Sequence, residues 1–307
     1  MRIVFMGTPE FSVPALEKII ETEEVVLVVT KEDAPIGRKR ILTPSPVAVC
    51  AEKYGIEVFK PHRLKNDYQK IMEAKPDLII TCAYGQIVPK EVLDAPLHGC
   101  INIHASLLPK YRGANPICAS IMNGEEKTGI TIMYMEETLD TGDMLYQKEV
   151  PILESDHLGT VENKLSLLGA QMIAEFLPIK RVPQNEKDAT YVGMLRRKDE
   201  NIDFHKTKRE VFNHIRALYP KPMASTIIDS KEWKICEALE YDEVCGEIGI
   251  ISEVGKDYLA INCKDGRIKV IKIKPAGKNE MSVRDYFNGI NKESLVGKKV
   301  EINEETK

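Results

Sequence analysis

The chain has 307 residues, 43% hydrophobic and 29% charged, which is enough for two domains with a sizeable core and ordinary for a globular protein. Its formal net charge of −4 excludes a globally basic nucleic-acid binder, yet Phe204 to Lys307 carries 19 Lys and Arg against 17 Asp and Glu, leaving 24 against 30 for the rest. Seven scattered cysteines without a Cys-x-x-Cys pair argue against a disulfide framework or zinc site, and neither a membrane-spanning apolar run nor a presequence pattern appears, so a cytosolic chain with reduced thiols is expected.

Arg2 to Gly7 reads as a short apolar strand, with Thr8 as cap to a helix that carries Val13, Leu16, Ile19 and Ile20 at helical spacing. Strand–Gly–helix invites a dinucleotide reading, but Pro9 and Ser12 stand where the later glycines of that fingerprint belong. Val25 to Val29 reads as a buried parallel strand. Thr30 to Ser45 is long for a strand-to-helix connection and holds Lys31, Arg38, Lys39 and Arg40 around Gly37. A solvated charged loop and an arm that grips phosphates both fit it. Helices are predicted over 46–54 and 64–75, strands over 56–59 and 77–84, and a helix then leads to a strand ending near Ser106. A helix over 116–122, strands over 129–135 and 143–151, and a helix from His157 to Phe176 capped by Asp156 follow. Such alternation predicts an α/β fold with a doubly wound, mostly parallel sheet over residues 1–176.

Residues 177–203 read as a polar linker, in which Arg196-Arg197-Lys198 is solvated or faces RNA. From Phe204 on, one helix over 206–219 and short strands over 224–228, 234–240, 246–252, 258–263, 267–274 and 300–302 predict a small OB-like β-barrel domain, 204–307. The apolar alternation slips between Val270 and Ile271, which predicts a bulge. Lys264, Arg267, Lys269, Lys272, Lys274 and Lys278 form the densest basic cluster, either a strand edge guarded by lysines or an RNA-facing patch.

The chemistry gathers in Cys100-Ile101-Asn102-Ile103-His104-Ala105-Ser106-Leu107-Leu108-Pro109 and Leu139-Asp140-Thr141-Gly142-Asp143. On a strand, Asn102 and His104 share one face while Ile101 and Ile103 point to the other. That presents an amide and a titratable imidazole at the carboxyl end of an α/β sheet, and the turn-like second run can aim the Asp140 carboxylate.

These motifs resemble the signature of folate-dependent formyltransferases, and the resemblance covers nearly the whole chain. It implies transfer of a formyl group from 10-formyltetrahydrofolate to an amine, with no metal. It gives Asn102 the oxyanion, His104 the role of base or charged partner, and Asp140 the task of holding His104. It also implies that Ser106, Leu107, Leu108 and Pro109 face the folate. Gln86 to Pro89 and Leu97 to Gly99 fit either further walls of the site or ordinary core packing, and Phe11 near the first strand end is a candidate for an apolar acceptor pocket. Gly37-Arg38-Lys39-Arg40 with Pro44-Ser45-Pro46 is similar to the acceptor-stem loop of the members that formylate methionyl-tRNA(fMet). That similarity implies a tRNA partner with contacts at Arg38, Lys39 and Arg40, and an enzyme acting in translation initiation in the bacterial cytoplasm. The basic tail adds Lys206, Lys269 and Lys272 as candidate tRNA contacts, and a monomer is expected. A two-domain enzyme acting on a nucleotide-linked amino sugar, an enzyme acting on glycinamide ribonucleotide and a formyl-folate hydrolase remain as alternatives. A vestigial binding module is disfavoured by the intact motif, and a dinucleotide oxidoreductase by the broken glycine fingerprint.

Overall fold

The computed structural model describes residues 1–37, 39–174 and 181–301. Arg38, the end of the helix predicted to Phe176, the first part of the stretch read as a linker, and Ile302 lie outside the described residues. Contacts divide the chain into two units. The first comprises Met1–Pro116, Lys127–Pro151 and Glu162–Val192, the second Ile117–Glu126, Ile152–Val161 and Gly193–Lys307.

In the first unit β1 (Arg2–Gly7), α1 (Val13–Ile20), β2 (Glu24–Val29), β3 (Ala34–Ile36), β4 (Ile41–Thr43), α2 (Pro46–Lys53), β5 (Val58–Phe59), α3 (Gln69–Ala74), β6 (Leu78–Cys82), α4 (Lys90–Leu93), β7 (Cys100–His104) and β8 (Arg112–Gly113) follow one another. After α5 (Pro116–Met122), nearly all of which belongs to the second unit, come β9 (Lys127–Tyr134), β10 (Met144–Pro151), α6 (Leu158–Ala174), whose first turn belongs to the second unit, and β11 (Tyr191–Val192). The main sheet has the order β10-β9-β7-β6-β1-β2-β5. Its β5, β2, β1, β6 and β7 run parallel, and β9 and β10 are added antiparallel. The parallel strands are β-branched and apolar because helices cover both faces. Val4, Met6, Leu27, Val29 and Ile79 pack on one side with Leu64, Ile71, Val88 and Val92.

Two local expectations change. The helix predicted over 64–75 is a 3₁₀ turn at Leu64–Asn66 followed by α3. The Gln86 side chain accepts from the Leu64 N–H at 2.8 Å at the start of the turn, and the backbone leaves helical geometry at Asp67, where φ is −145° and ψ 84°. Thr8 does not cap α1, because its hydroxyl donates to the Tyr84 carbonyl. Ser45 caps α2 as a helix-starting serine should, accepting from Ala48 N.

The stretch 177–203 is, over 181–192, bonded into the first unit. Val182 exchanges backbone hydrogen bonds with Met144, and β11 pairs in parallel with β8.

The second unit holds α7 (Lys208–Leu218), β12 (Ala224–Ile228), β13 (Lys231–Glu240), β14 (Ile251–Val254), β15 (Leu259–Cys263), β16 (Gly266–Pro275), β17 (Met281–Ser282) and α8 (Val283–Phe287). These strands form an antiparallel sheet ordered β12-β13-β16-β15-β14. The segment after α8 joins its edges. Lys298 and Val300 bond to Ile251 and Gly249, and Glu301 bonds to Ile227, so the sheet closes as a barrel. At the slip, Glu237 faces Lys272 and Ala238 faces Val270, which leaves Ile271 as the bulged residue. The strand predicted over 246–252 starts only at Ile251, because Gly249 takes a positive φ of 76° to reach Val300. Among the described residues, no helix is long and apolar enough to cross a membrane.

Candidate active site

β7 sits between β6 and β9 and presents the predicted pair. Ile101 and Ile103 are buried, and Asn102 is half-buried on the other face. Pairing places Thr81 beside Asn102 on the β6 side and Thr131 opposite His104 on the β9 side. The Thr81 hydroxyl donates to Asn102 Oδ1 at 2.8 Å, which fixes the amide and turns its NH₂ away from β6. His104 is 6% exposed. Its Nε2 lies 3.1 Å from the Tyr111 carbonyl, a group that only accepts, so Nε2 carries the proton. Its Nδ1 faces Asp140 Oδ2 at 3.7 Å.

Asp140 is held by its backbone as much as by its charge. Its φ is 53°, in the left-handed region, and its Oδ2 accepts from Gly113 N at 2.8 Å. Gly113 has φ 116°, and a Cβ there would stand 2.1 Å from the Val192 carbonyl oxygen, so only glycine lets β8 and β11 close at this point. The structure thus brings Asn102 and His104 together on one strand and sets Asp140 against His104. Burial pushes the nearby Cys82 and Cys100 thiols up to about 12, which keeps both neutral and unreactive.

The loop Ser106–Pro109 is less open than expected. Ser106 is fully buried and its hydroxyl donates to the Lys110 carbonyl. Leu108 is 3% exposed, with its N–H on Thr131 Oγ1 and its carbonyl accepting from Gln147. These two side chains support the fold, and only Leu107 and Pro109 retain open surface. Ile87 and Leu97, in the two stretches expected as further walls, and Leu139, beside Asp140 in sequence, are exposed. A cleft of about 450 Å³ opens beside α4, lined in part by Lys90, Gly99, Cys100, Met135, Glu137 and Arg181, and its lining does not include Asn102, His104 or Asp140. Phe11 is half-buried in a 3₁₀ turn before α1. Among the described residues no group of His, Cys, Asp and Glu is arranged to hold a metal.

The basic expectations divide. β3 and β4 form a hairpin, and Lys39 and Arg40 at its turn are exposed and in no ion pair among the described residues. Ile36, Ile41 and Leu42 beside them are 60%, 62% and 66% exposed, an apolar tip the charge count did not reveal. In the barrel, Lys206 is exposed, Lys272 pairs with Glu280, and Lys269 lies over the Tyr258 ring at 4.0 Å. Arg267 is 7% exposed and bound to Asp242 and Glu253, so it is a buried strut, not part of an open basic patch.

Sequence reasoning missed Thr81, Tyr111, Gly113 and Gln184. A threonine inside the apolar run of β6 is a readable signal. Tyr111 and Gly113 act through backbone groups and leave no side-chain trace. The Gln184 amide donates to the carbonyls of Asp140 at 2.9 Å and Gly142 at 2.8 Å, from a segment read as linker.

Comparison with known proteins adds the following. Residues 1–177 match the family model described as formyl transferase, and residues 194–291 match formyl transferase, C-terminal domain. The chain is 45% identical over 306 residues to a methionyl-tRNA formyltransferase of Macrococcus caseolyticus, covering 97% of this chain and 98% of that protein. It is 44% identical over 310 residues to one of Halalkalibacterium halodurans, covering 97% of each. Its fold is similar to that of an N-formyltransferase from Helicobacter canadensis solved with folinic acid and dTDP-3-aminofucose. The TM-score is 0.70 at 21% identity, covering 88% of this chain and 98% of that one.

Proposed function

The chain belongs to the formyl transferase family, and from that premise we propose that it formylates the free amino group of methionyl-tRNA(fMet), with 10-formyltetrahydrofolate as donor. The acceptor rests on one observation above all: about 45% identity along almost the entire chain with proteins named methionyl-tRNA formyltransferase. The folate donor is supported by the family and by folinic acid in the Helicobacter canadensis structure. The enzyme then supplies initiator formylmethionyl-tRNA for translation, in the bacterial cytoplasm.

The reaction needs an unprotonated amine, a donor for the developing oxyanion, and a proton for the leaving folate nitrogen. The amine attacks the formyl carbon, and the carbonyl oxygen becomes an oxyanion. The Asn102 NH₂, oriented by Thr81, donates to that oxygen. His104 exchanges its proton at Nδ1, because Nε2 is bound to the Tyr111 carbonyl. Nδ1 takes the proton of the attacking amine, and Asp140 stabilises the imidazolium across 3.7 Å. When the bond to folate N10 breaks, the proton taken up at Nδ1 passes to N10, giving tetrahydrofolate and formylmethionyl-tRNA and returning His104 to its starting form. Leu107, Pro109 and the exposed Ile87, Leu97 and Leu139 supply apolar surface for a flat ring.

For the tRNA, the β3–β4 hairpin combines exposed cations with aliphatic side chains able to lie against unpaired bases. Arg38, Lys39, Arg40 and Lys206 are the proposed phosphate contacts, and Lys269 and Lys272 contribute what charge their neighbours leave them. Incubation with charged initiator tRNA and 10-formyltetrahydrofolate should give N-formylmethionine after ester hydrolysis. Transfer confined to free small amines would refute the proposal.

A further inference from the structure

Arg112 is fully buried, and the reaction scheme gives it nothing to do. A buried guanidinium is costly unless its donors are met. Its Nη1 and Nη2 bind Glu186 at 3.0 and 2.7 Å and Nη1 also donates to the Tyr191 hydroxyl at 2.8 Å. Its Nε and Nη2 donate to Gln184 Oε1 at 3.0 and 2.9 Å. That leaves the Gln184 NH₂ pointing away from Arg112, and both its hydrogens go to the carbonyls of Asp140 and Gly142. The Gln184 amide therefore has one fixed orientation, because only that end of it can face a guanidinium.

The backbone around Arg112 has a matching arrangement. Tyr111, just before it, offers its carbonyl to His104, and Gly113, just after it, gives its N–H to Asp140 Oδ2. Arg112 thus anchors the segment that touches both members of the His104–Asp140 pair, and Gln184 clamps the turn that carries Asp140. A non-glycine residue holds a left-handed conformation such as that of Asp140 only where its surroundings hold it there.

We propose that Gln184, oriented by Arg112, is a positioning residue for formyl transfer. It fixes the Asp140 turn so that the carboxylate faces His104 Nδ1. The proposal rests on the reading of Asp140 given above and adds to it a residue from the segment after α6.

The test is a double-substitution cycle read in steady-state kinetics with methionyl-tRNA and 10-formyltetrahydrofolate. Gln184→Glu keeps acceptors for Arg112, and so keeps the fold, but turns lone pairs toward the two carbonyls. Gln184→Met removes all the hydrogen bonds at similar length. Either substitution is expected to lower kcat by at least about tenfold with KM for both substrates nearly unchanged, since a small misplacement at a reacting site is costly. In an Asp140→Ala background neither should lower kcat further, because the group being positioned is gone. Melting curves should show Gln184→Glu still fully folded at the assay temperature, so that the loss of kcat does not come from unfolding. Unchanged kcat in Gln184→Glu, or the same fold loss with and without Asp140, overturns the proposal while leaving the transferase reading intact. A parent chain with no transferase activity overturns both.

Discussion

His104 has one free ring nitrogen, because a carbonyl can only accept and Nε2 is committed to Tyr111. Asn102 Oδ1 accepts from the Thr81 hydroxyl, which leaves its NH₂ to donate. Removing that donor by Asn102→Ala should lower kcat by about 10²–10³, the usual loss for one oxyanion donor, with KM for folate little changed. His104→Ala and Asp140→Ala should each reduce turnover severely while folate binding, measured by fluorescence titration, persists. The placement of Asn102 and His104 on one strand face was legible from two polar positions alternating with isoleucines, while the roles proposed for them and for Asp140 came from the family resemblance. The burial of Ser106 and Leu108 was not legible, because sequence shows a motif but not which way its side chains face. Gly113→Ala is a sharper structural test. The added methyl would meet the Val192 carbonyl at an unfavourable φ, and a loss of about 1–3 kcal/mol in denaturant unfolding is expected.

At the scale of elements, the β3–β4 hairpin carries the expected contact with RNA. Deleting its charge by Lys39→Ala and Arg40→Ala should raise KM for methionyl-tRNA several-fold without altering KM for the folate, and the effect should shrink at high salt. Charge was visible in the sequence, but the exposed Ile36, Ile41 and Leu42 were not, since three aliphatic residues near a basic run read equally well as core. α7 supports a second prediction. Its His214 sits partly buried with Nε2 unpartnered, and burial lowers its pKa below the usual 6.5, partly offset by a hydrogen bond to the Glu200 backbone. Lys206, Asp199 and Asp203 act on it more weakly. The unfolded chain therefore binds a proton that the folded one resists, so this contribution is intact above about pH 6.5 and is lost as pH falls below it. His157, also lowered chiefly by burial, adds in the same direction. Unfolding midpoints measured from pH 7.5 to 5.5 should fall, and His214→Gln should flatten that slope. The 64–75 helix is interrupted where Asp67 leaves helical geometry, and the strand from 246 starts late because Gly249 turns to meet the distant Val300, neither of which local periodicity reveals.

For the whole molecule, alternation of strand and helix foretold the parallel sheet, and short Gly-punctuated strands foretold the antiparallel barrel. What alternation could not foretell is where long-range closure occurs. The segment 298–301 seals the barrel, and residues 181–192 return to the sheet unit to clamp the Asp140 turn. Both are polar or short stretches whose partners lie far away in sequence, where periodicity carries no information. A folate formyl donor here serves an aminoacyl-tRNA and not a small amine. A single competition measures it: donor labelled in the formyl carbon, offered at once to charged initiator tRNA and a dTDP-linked amino sugar. The account predicts label in the methionyl ester, none on the sugar, and abolition by His104→Ala. Label on the sugar, or released as formate while the ester stays unlabelled, would contradict it.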